Sequence, residues 1–182
     1  MRGAERLPRV TLVLGGAASG KSRYAEQLVE RAGADSVYLA TAEAGDAEMA
    51  ERIRLHRARR GQGWRTVEEP LALVPVLLAQ AQPGAAVLVD CLTLWLSNLL
   101  GAGRDAESEA DALVAALPRL AAPVVFVANE VGLGIVPENA LARRFRDAAG
   151  RLNVELAASA EAVSLVAAGL PLNLKTPPTS GS

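Results

Sequence analysis

The chain has 182 residues, 51% hydrophobic and 21% charged, a composition that supports one buried core and excludes a disordered or acidic solvating protein. Nineteen Lys and Arg against twenty Asp and Glu give a net charge of -1, so no overall positive field exists to hold nucleic acid or an anionic membrane. The single cysteine, Cys91, excludes an internal disulfide, and one histidine leaves no Cys/His zinc pattern, so a reducing, cytoplasmic address fits.

The N-terminal MRGAERLPRV carries charges and a proline before its first apolar run, which marks a leading strand at 10–14 and not a signal peptide. Gly15-Gly16-Ala17-Ala18-Ser19-Gly20-Lys21-Ser22 follows at once and matches G-x-x-x-x-G-K-[ST], with a helix expected over 21–32. In that setting glycines let backbone N–H groups curl around phosphate oxygens, and the helix N-terminus adds partial positive charge. Lys21 then reaches the terminal phosphates and Ser22 ligates Mg²⁺. Lys21 is one of only two lysines in the chain, the other being Lys175.

A strand at 37–40 leads to a helix at 46–60, where Glu48, Arg52, His56, Arg59 and Arg60 recur three or four residues apart as a charged strip. Beside a phosphate loop such a strip is an anion site, and flanking arginines favour the neutral imidazole that a nucleophile needs. On the helical wheel His56 also points near Met49 and Ile53, toward the face that would be buried. The pattern leaves a nucleophilic and a packed histidine both open.

Residues 61–69 read as a loop and 70–80 as a helix. The run Ala86-Val87-Leu88-Val89-Asp90 sets a strand at 87–89 with a carboxylate at its end, where a P-loop protein holds the water shell of Mg²⁺. Asp90 is also placed to cap the next helix, 92–100. A helix at 106–117, a strand at 124–128, a Gly- and Pro-rich loop at 130–139, a helix at 137–160 and a strand at 163–166 complete the pattern. Glu130 follows a strand and is a candidate base toward an acceptor hydroxyl, or a loop carboxylate paired with Arg143 or Arg146. Cys91 reads as a small buried residue, and Trp64 and Trp95 as packing groups. No window reaches the roughly 18 consecutive apolar residues of a membrane span. Residues 1–175 are expected to form one nucleotide-binding domain and 176–182 a disordered tail. Strands alternating with helices define an α/β protein with a mostly parallel sheet and helices on both faces.

The blocks GGAASGKSRYAE, YLATAEAGDAEMAERIRLHRARRGQGWRTVEEP, LVDCLTLWLSNLL and NEVGLGIVPENALARRFRDAAGRLN converge on one pattern. The chain resembles the bifunctional adenosylcobinamide kinase/adenosylcobinamide-phosphate guanylyltransferases of cobalamin synthesis, from its first strand to GLPLNLK near Lys175. The resemblance implies a P-loop NTPase with a RecA-like sheet, Mg²⁺ as cofactor, and ATP, GTP and adenosylcobinamide as partners. It implies phosphate transfer to the aminopropanol hydroxyl of adenosylcobinamide, then GMP transfer from GTP through a GMP-histidine phosphoramidate.

On the same ground the guanylylated residue falls on His56, the only histidine. The triphosphate cradle falls on Gly15, Gly16, Ala17, Ala18, Ser19, Gly20, Lys21 and Ser22, with Ala40, Thr41 and Ala42 as a further part of the nucleotide site. Arg57, Ala58, Arg59 and Arg60 fall on GTP contacts, and their guanidinium groups suit bidentate phosphate binding. Glu68 falls on a nucleotide contact, with Glu69 beside it as the competing choice, and Asp90 on the acidic residue before Cys-x-Thr. Ala18 departs from relatives that carry an arginine in the loop. The family's ring-like trimer is implied as well, with Arg143, Phe145, Arg146, Asp147, Arg151 and Asn153 offering a subunit contact or part of a corrinoid site. Two further readings stand beside this one: a monofunctional P-loop kinase with a structural His56, and a nucleotide-gated assembly module.

Overall fold

In the computed structural model, which describes residues 6–42, 54 and 63–177, VTLVLG forms β1 (Val10–Gly15), buried along its whole length. A strand buried on both faces carries no polar alternation, and β1 has none. It leads through the loop at 16–20 into α1 (Lys21–Arg31), then β2 (Asp35–Ala40). After the undescribed stretch come β3 (Trp64–Glu68), α2 (Leu73–Gln80), β4 (Ala85–Asp90), α3 (Leu92–Gly101), α4 (Ala106–Ala116) and β5 (Val124–Asn129). The long α5 (Ala140–Ser159), β6 (Ala162–Ala167) and β7 (Leu170–Lys175) end the fold.

Among the described residues the strands make one seven-stranded sheet in the order β3-β2-β4-β5-β1-β6-β7. Every pairing is parallel except β6 with β7. Along β1, Leu12 and Leu14 join a core cluster with residues of α2, α3, α4 and α5, while Val13 joins a second cluster with Ala25 and Val29 of α1. The period-2 alternation of strand side chains thus places α1 on one face and the other helices on the opposite face. This is the expected α/β architecture, a mostly parallel sheet with helices on both faces. Because β1, β2, β4, β5 and β6 run parallel, Gly15, Ala40, Asp90, Asn129 and Val166 end on one edge, with Gly15 paired to Asn129 and to Val166, and Ala40 to Asp90.

Several expected boundaries move for local reasons. Residues 64–68, read as loop, are the edge strand β3, whose partly polar, half-exposed WRTVE lacks the apolar run of an interior strand. Residues 170–175 form the other edge strand, β7, although Pro171 argues against a strand; an outer strand tolerates a missing N–H. Lys175 there donates to the carbonyls of Ala157 and Ala158 at 3.1 and 3.0 Å, at the C-terminal end of α5 where its charge suits the dipole. Helix 137–160 starts instead at Ala140, because the Asn139 side chain accepts from Ala142 N–H at 2.7 Å and caps it. Helix 106–117 stops at Ala116 and continues as a single 3₁₀ turn, Leu117–Arg119, containing Pro118. Apart from residue 54, the expected helix 46–60, with His56, Arg57, Ala58, Arg59 and Arg60, lies outside the described residues, as do 178–182.

Candidate active site

The loop between β1 and α1 is shaped by two glycines. A Cβ on Gly15 would lie 2.6 Å from the Val166 carbonyl oxygen and against Ser19 Oγ, so no side chain fits where the loop folds back on its own strand. Gly20, at φ +92°, is the N-cap of α1 and supplies no side chain to it. No acidic residue occupies the first turn of α1 either, so nothing there offsets the positive end of the helix dipole, and most of the loop before it is exposed, with the Ser19 N–H bonded to the Gly16 carbonyl at 3.3 Å. A helix start of this kind is favourable to an anion. Lys21 is buried to 9% exposure, and its Nζ donates to the Gly16 carbonyl at 3.0 Å, so the ammonium lies folded against the loop it would serve. Ser22 stands one residue on, half-buried in the first turn of α1.

Across the edge, the Tyr38 hydroxyl of β2 donates to Asp90 Oδ2 at 3.0 Å, fixing one carboxylate oxygen at the end of β4. Asp90 does not cap α3: the N-cap is Cys91, with no side-chain cap bond. The Ser22 hydroxyl and the Asp90 carboxylate are hard oxygen donors, suited to Mg²⁺ held jointly with phosphate oxygens and water. Among the described residues no group of three His, Cys, Asp or Glu could hold a metal by itself. Burial, with the Asp90 carboxylate adding to it, pushes the Cys91 thiol up from 9.0 to about 11. A thiol so protonated is no nucleophile, in keeping with the packing role expected of it.

Thr41 has a structural task. Its side chain, 0% exposed, donates from Oγ1 to the Cys91 carbonyl at 2.7 Å and accepts from Cys91 N–H at 2.9 Å. The Thr41 N–H donates to the Asp90 carbonyl at 3.2 Å, and Asn98 Nδ2 donates to the Thr41 carbonyl at 2.8 Å. These bonds tie the end of β2 to the end of β4, and so position Asp90. Ala40 is buried beside it, and Ala42 is half-exposed.

Glu69 accepts at Oε1 from Leu71 N–H (2.9 Å) and Ala72 N–H (2.6 Å), committing that oxygen to the turn before α2, while Glu68 lies exposed at the end of β3. Glu130 is tied to the end of β1 through its backbone: its N–H donates to the Gly15 carbonyl at 3.1 Å, and its Oε1 accepts from Gly132 N–H at 2.6 Å. Its expected alternative partners are engaged elsewhere, Arg143 with the Pro137 and Glu138 carbonyls and Arg146 with Asp147. On α5, Arg151 pairs with Glu107 of α4 at 3.0 Å, Asn153 is buried, and Phe145 packs against the core.

Two participants escaped the sequence reading. Asn129, level with Gly15, keeps a buried Oδ1 with no hydrogen-bond partner among the described residues. Its N–H is held by Thr93 Oγ1 at 2.7 Å. Nothing in the sequence marks it beyond its place at a strand end. The second is the β6–β7 turn, whose Gly169 N–H donates to the Ser19 carbonyl at 2.8 Å.

With the geometry in hand, residues 11–174 match the family model described as "Cobinamide kinase / cobinamide phosphate guanyltransferase". A bifunctional adenosylcobalamin biosynthesis protein of Pseudomonas aeruginosa, CobP, is 50% identical over 169 residues, covering 92% of this chain and 98% of that one. The Escherichia coli protein of the same description, CobU, is 44% identical over 179 residues, covering 90% and 98%. Among solved structures, the flagellar accessory protein FlaH of Methanocaldococcus jannaschii superposes with a TM-score of 0.60 over 97% of this chain and 83% of that one at 14% identity, a likeness of fold.

Proposed function

The chain belongs to the cobinamide kinase/cobinamide phosphate guanyltransferase family, the bifunctional enzymes of adenosylcobalamin biosynthesis, and from that premise we propose that one phosphate cradle serves both of its reactions. In the first, the acceptor hydroxyl of adenosylcobinamide attacks the γ-phosphorus of ATP or GTP, the bond to the β-phosphate oxygen breaks, and adenosylcobinamide phosphate and the nucleoside diphosphate leave. In the second, a nitrogen of His56 attacks the α-phosphorus of GTP and pyrophosphate departs. The phosphate of adenosylcobinamide phosphate then attacks the phosphoramidate phosphorus, releasing His56 and giving adenosylcobinamide-GDP.

The observation that carries this reading is the exposed loop at 16–20 at the start of α1, with Lys21 folded against it and Asp90 on the same edge. The loop N–H groups bind the phosphates, and Lys21 leaves the Gly16 carbonyl for their terminal oxygens. Ser22 and Asp90 would hold Mg²⁺, which when bound offsets the charge that builds on the phosphate oxygens. Phosphoryl transfer through a loose transition state needs positioning and charge neutralisation more than a strong base, so Glu130 and Asn129 serve to orient the acceptor. Arg57, Arg59 and Arg60 neutralise the α-phosphate in the histidine step, and Glu68, rather than the turn-forming Glu69, contacts the nucleotide. The exposed apolar side chains of Leu133, Ile135 and Val136, in the loop that Glu130 opens, meet the bulky corrinoid. The assembly is a homotrimer.

Incubation with Mg²⁺ and GTP labelled at either the α- or γ-phosphate, in wild type and His56→Ala, tests the reading after denaturing electrophoresis. Retention of the α but not the γ label, labile to acid and absent from His56→Ala, is expected. Bound nucleotide without any label would remove His56 from catalysis and leave a kinase alone.

A further inference from the structure

On the far side of the loop from Asp90, a groove of about 540 Å³ opens between α1 and the β6–β7 hairpin. That volume lies within the range of small-molecule sites. Ser19 and Gly20 of the phosphate loop form one end of it. Along one wall, Arg23, Gln27 and Arg31 stand one helical turn apart, with Tyr24 beside them; Gly169 and Pro171 stand in the other.

The hairpin is fastened to the loop. Gly169 N–H donates to the Ser19 carbonyl at 2.8 Å, and a Cβ on Gly20 would come within 3.1 Å of Gly169 Cα. Ala168 at φ 51° and Gly169 at φ 76° are both left-handed, the backbone of a tight two-residue hairpin turn. The groove is thus held in register with the cradle, and it begins where bound phosphates would end.

Its chemistry suits an aromatic, hydrogen-bonding ligand joined to an anion. A tyrosine ring and guanidinium planes stack on a π-face, and a glutamine amide offers a donor and an acceptor to a ring edge. The opposite side of β1 is less open to a base at Thr41, whose side chain is fully buried and committed to Cys91. We propose that this groove is the base site for the purine nucleoside triphosphate that donates its γ-phosphate in the kinase reaction. The inference rests on the kinase reading for the word donor, and on the groove itself for the base.

Gln27→Trp and Pro171→Trp fill the groove from opposite walls, Pro171 from an exposed edge strand where the fold bears the change easily. Equilibrium dialysis of the intact protein with Mg²⁺ would compare ATP with tripolyphosphate, which has phosphates and no base. Each variant is expected to lose on the order of ten-fold in ATP affinity, within the span of base stacking, with tripolyphosphate binding unchanged. In wild type, photolysis with 8-azido-ATP is expected to label tryptic peptides 24–31 or 152–175. Unchanged ATP affinity in both variants, equal loss for ATP and tripolyphosphate, or label confined to other peptides would overturn the assignment. A changed oligomeric state with ATP affinity retained would overturn it as well, giving the groove to a neighbouring copy. Failure of wild type to phosphorylate adenosylcobinamide would sink the kinase reading separately, leaving the ATP and tripolyphosphate comparison to decide the groove.

Discussion

Replacing Thr41 by valine separates a residue that touches nucleotide from one that holds the site together. Valine matches threonine in shape, so no cavity opens and only the hydroxyl is lost. That hydroxyl bonds both polar backbone groups of Cys91, at 2.7 and 2.9 Å, in a position with 0% exposure. Each buried group left unpaired costs about 1–3 kcal/mol, so Thr41→Val should destabilise the protein by about 2–6 kcal/mol. For a domain of this size that lowers Tm by roughly 4–24 °C. Thr41→Ser keeps both bonds and loses one methyl group, and should cost about 1 kcal/mol. Urea unfolding of the three proteins gives the stabilities, and titration with Mg²⁺ and GTP gives the affinities. A Thr41→Val protein as stable as wild type, but weakened for GTP, would refute the interstrand role and make the hydroxyl a ligand contact.

Gly15→Ala places a methyl group 2.6 Å from the Val166 carbonyl, so the loop must shift; nucleotide binding measured by dialysis should be lost while Gly16→Ala, with open space around its Cβ, retains it. Tyr38→Phe leaves the Asp90 carboxylate without its 3.0 Å donor, and the Mg²⁺ concentration needed for half-maximal phosphate transfer should rise severalfold. Asn129→Leu removes a buried oxygen that has no partner, so chemical unfolding should show unchanged or higher stability while the kinase rate falls about ten-fold or more; equal loss of both would return Asn129 to a purely structural role. Cys91, buried and pushed up to about 11, should resist iodoacetamide at pH 8 in the folded protein and react at once in urea; rapid alkylation without unfolding would contradict its placement.

The strand–loop–helix around residues 16–20 was legible in the sequence because its physics is local: a buried strand, glycines at the tight positions and a helix start follow one another without a break. Asp90 was legible for the same reason, as a carboxylate closing an apolar run. The edge strands were not. β3 is half-exposed and partly polar, and β7 is exposed along its length and carries Pro171, so neither bears the burial pattern by which a strand is recognised.

Chemistry at single positions was likewise written in residue type, while the pairing of distant positions was not. Sheet order sets β5 between β1 and β4, and so brings Asn129 level with Gly15. The same order puts the β6–β7 turn on Ser19 and locks Thr41 to Cys91, 50 residues away. The sequence by itself determined the α/β class, the tight loop after β1 and the helix that starts at Lys21, since these depend on neighbours a few residues apart. Only the tertiary structure decided which side chains are free to meet a ligand, because that depends on hydrogen bonds between segments that touch nowhere along the chain.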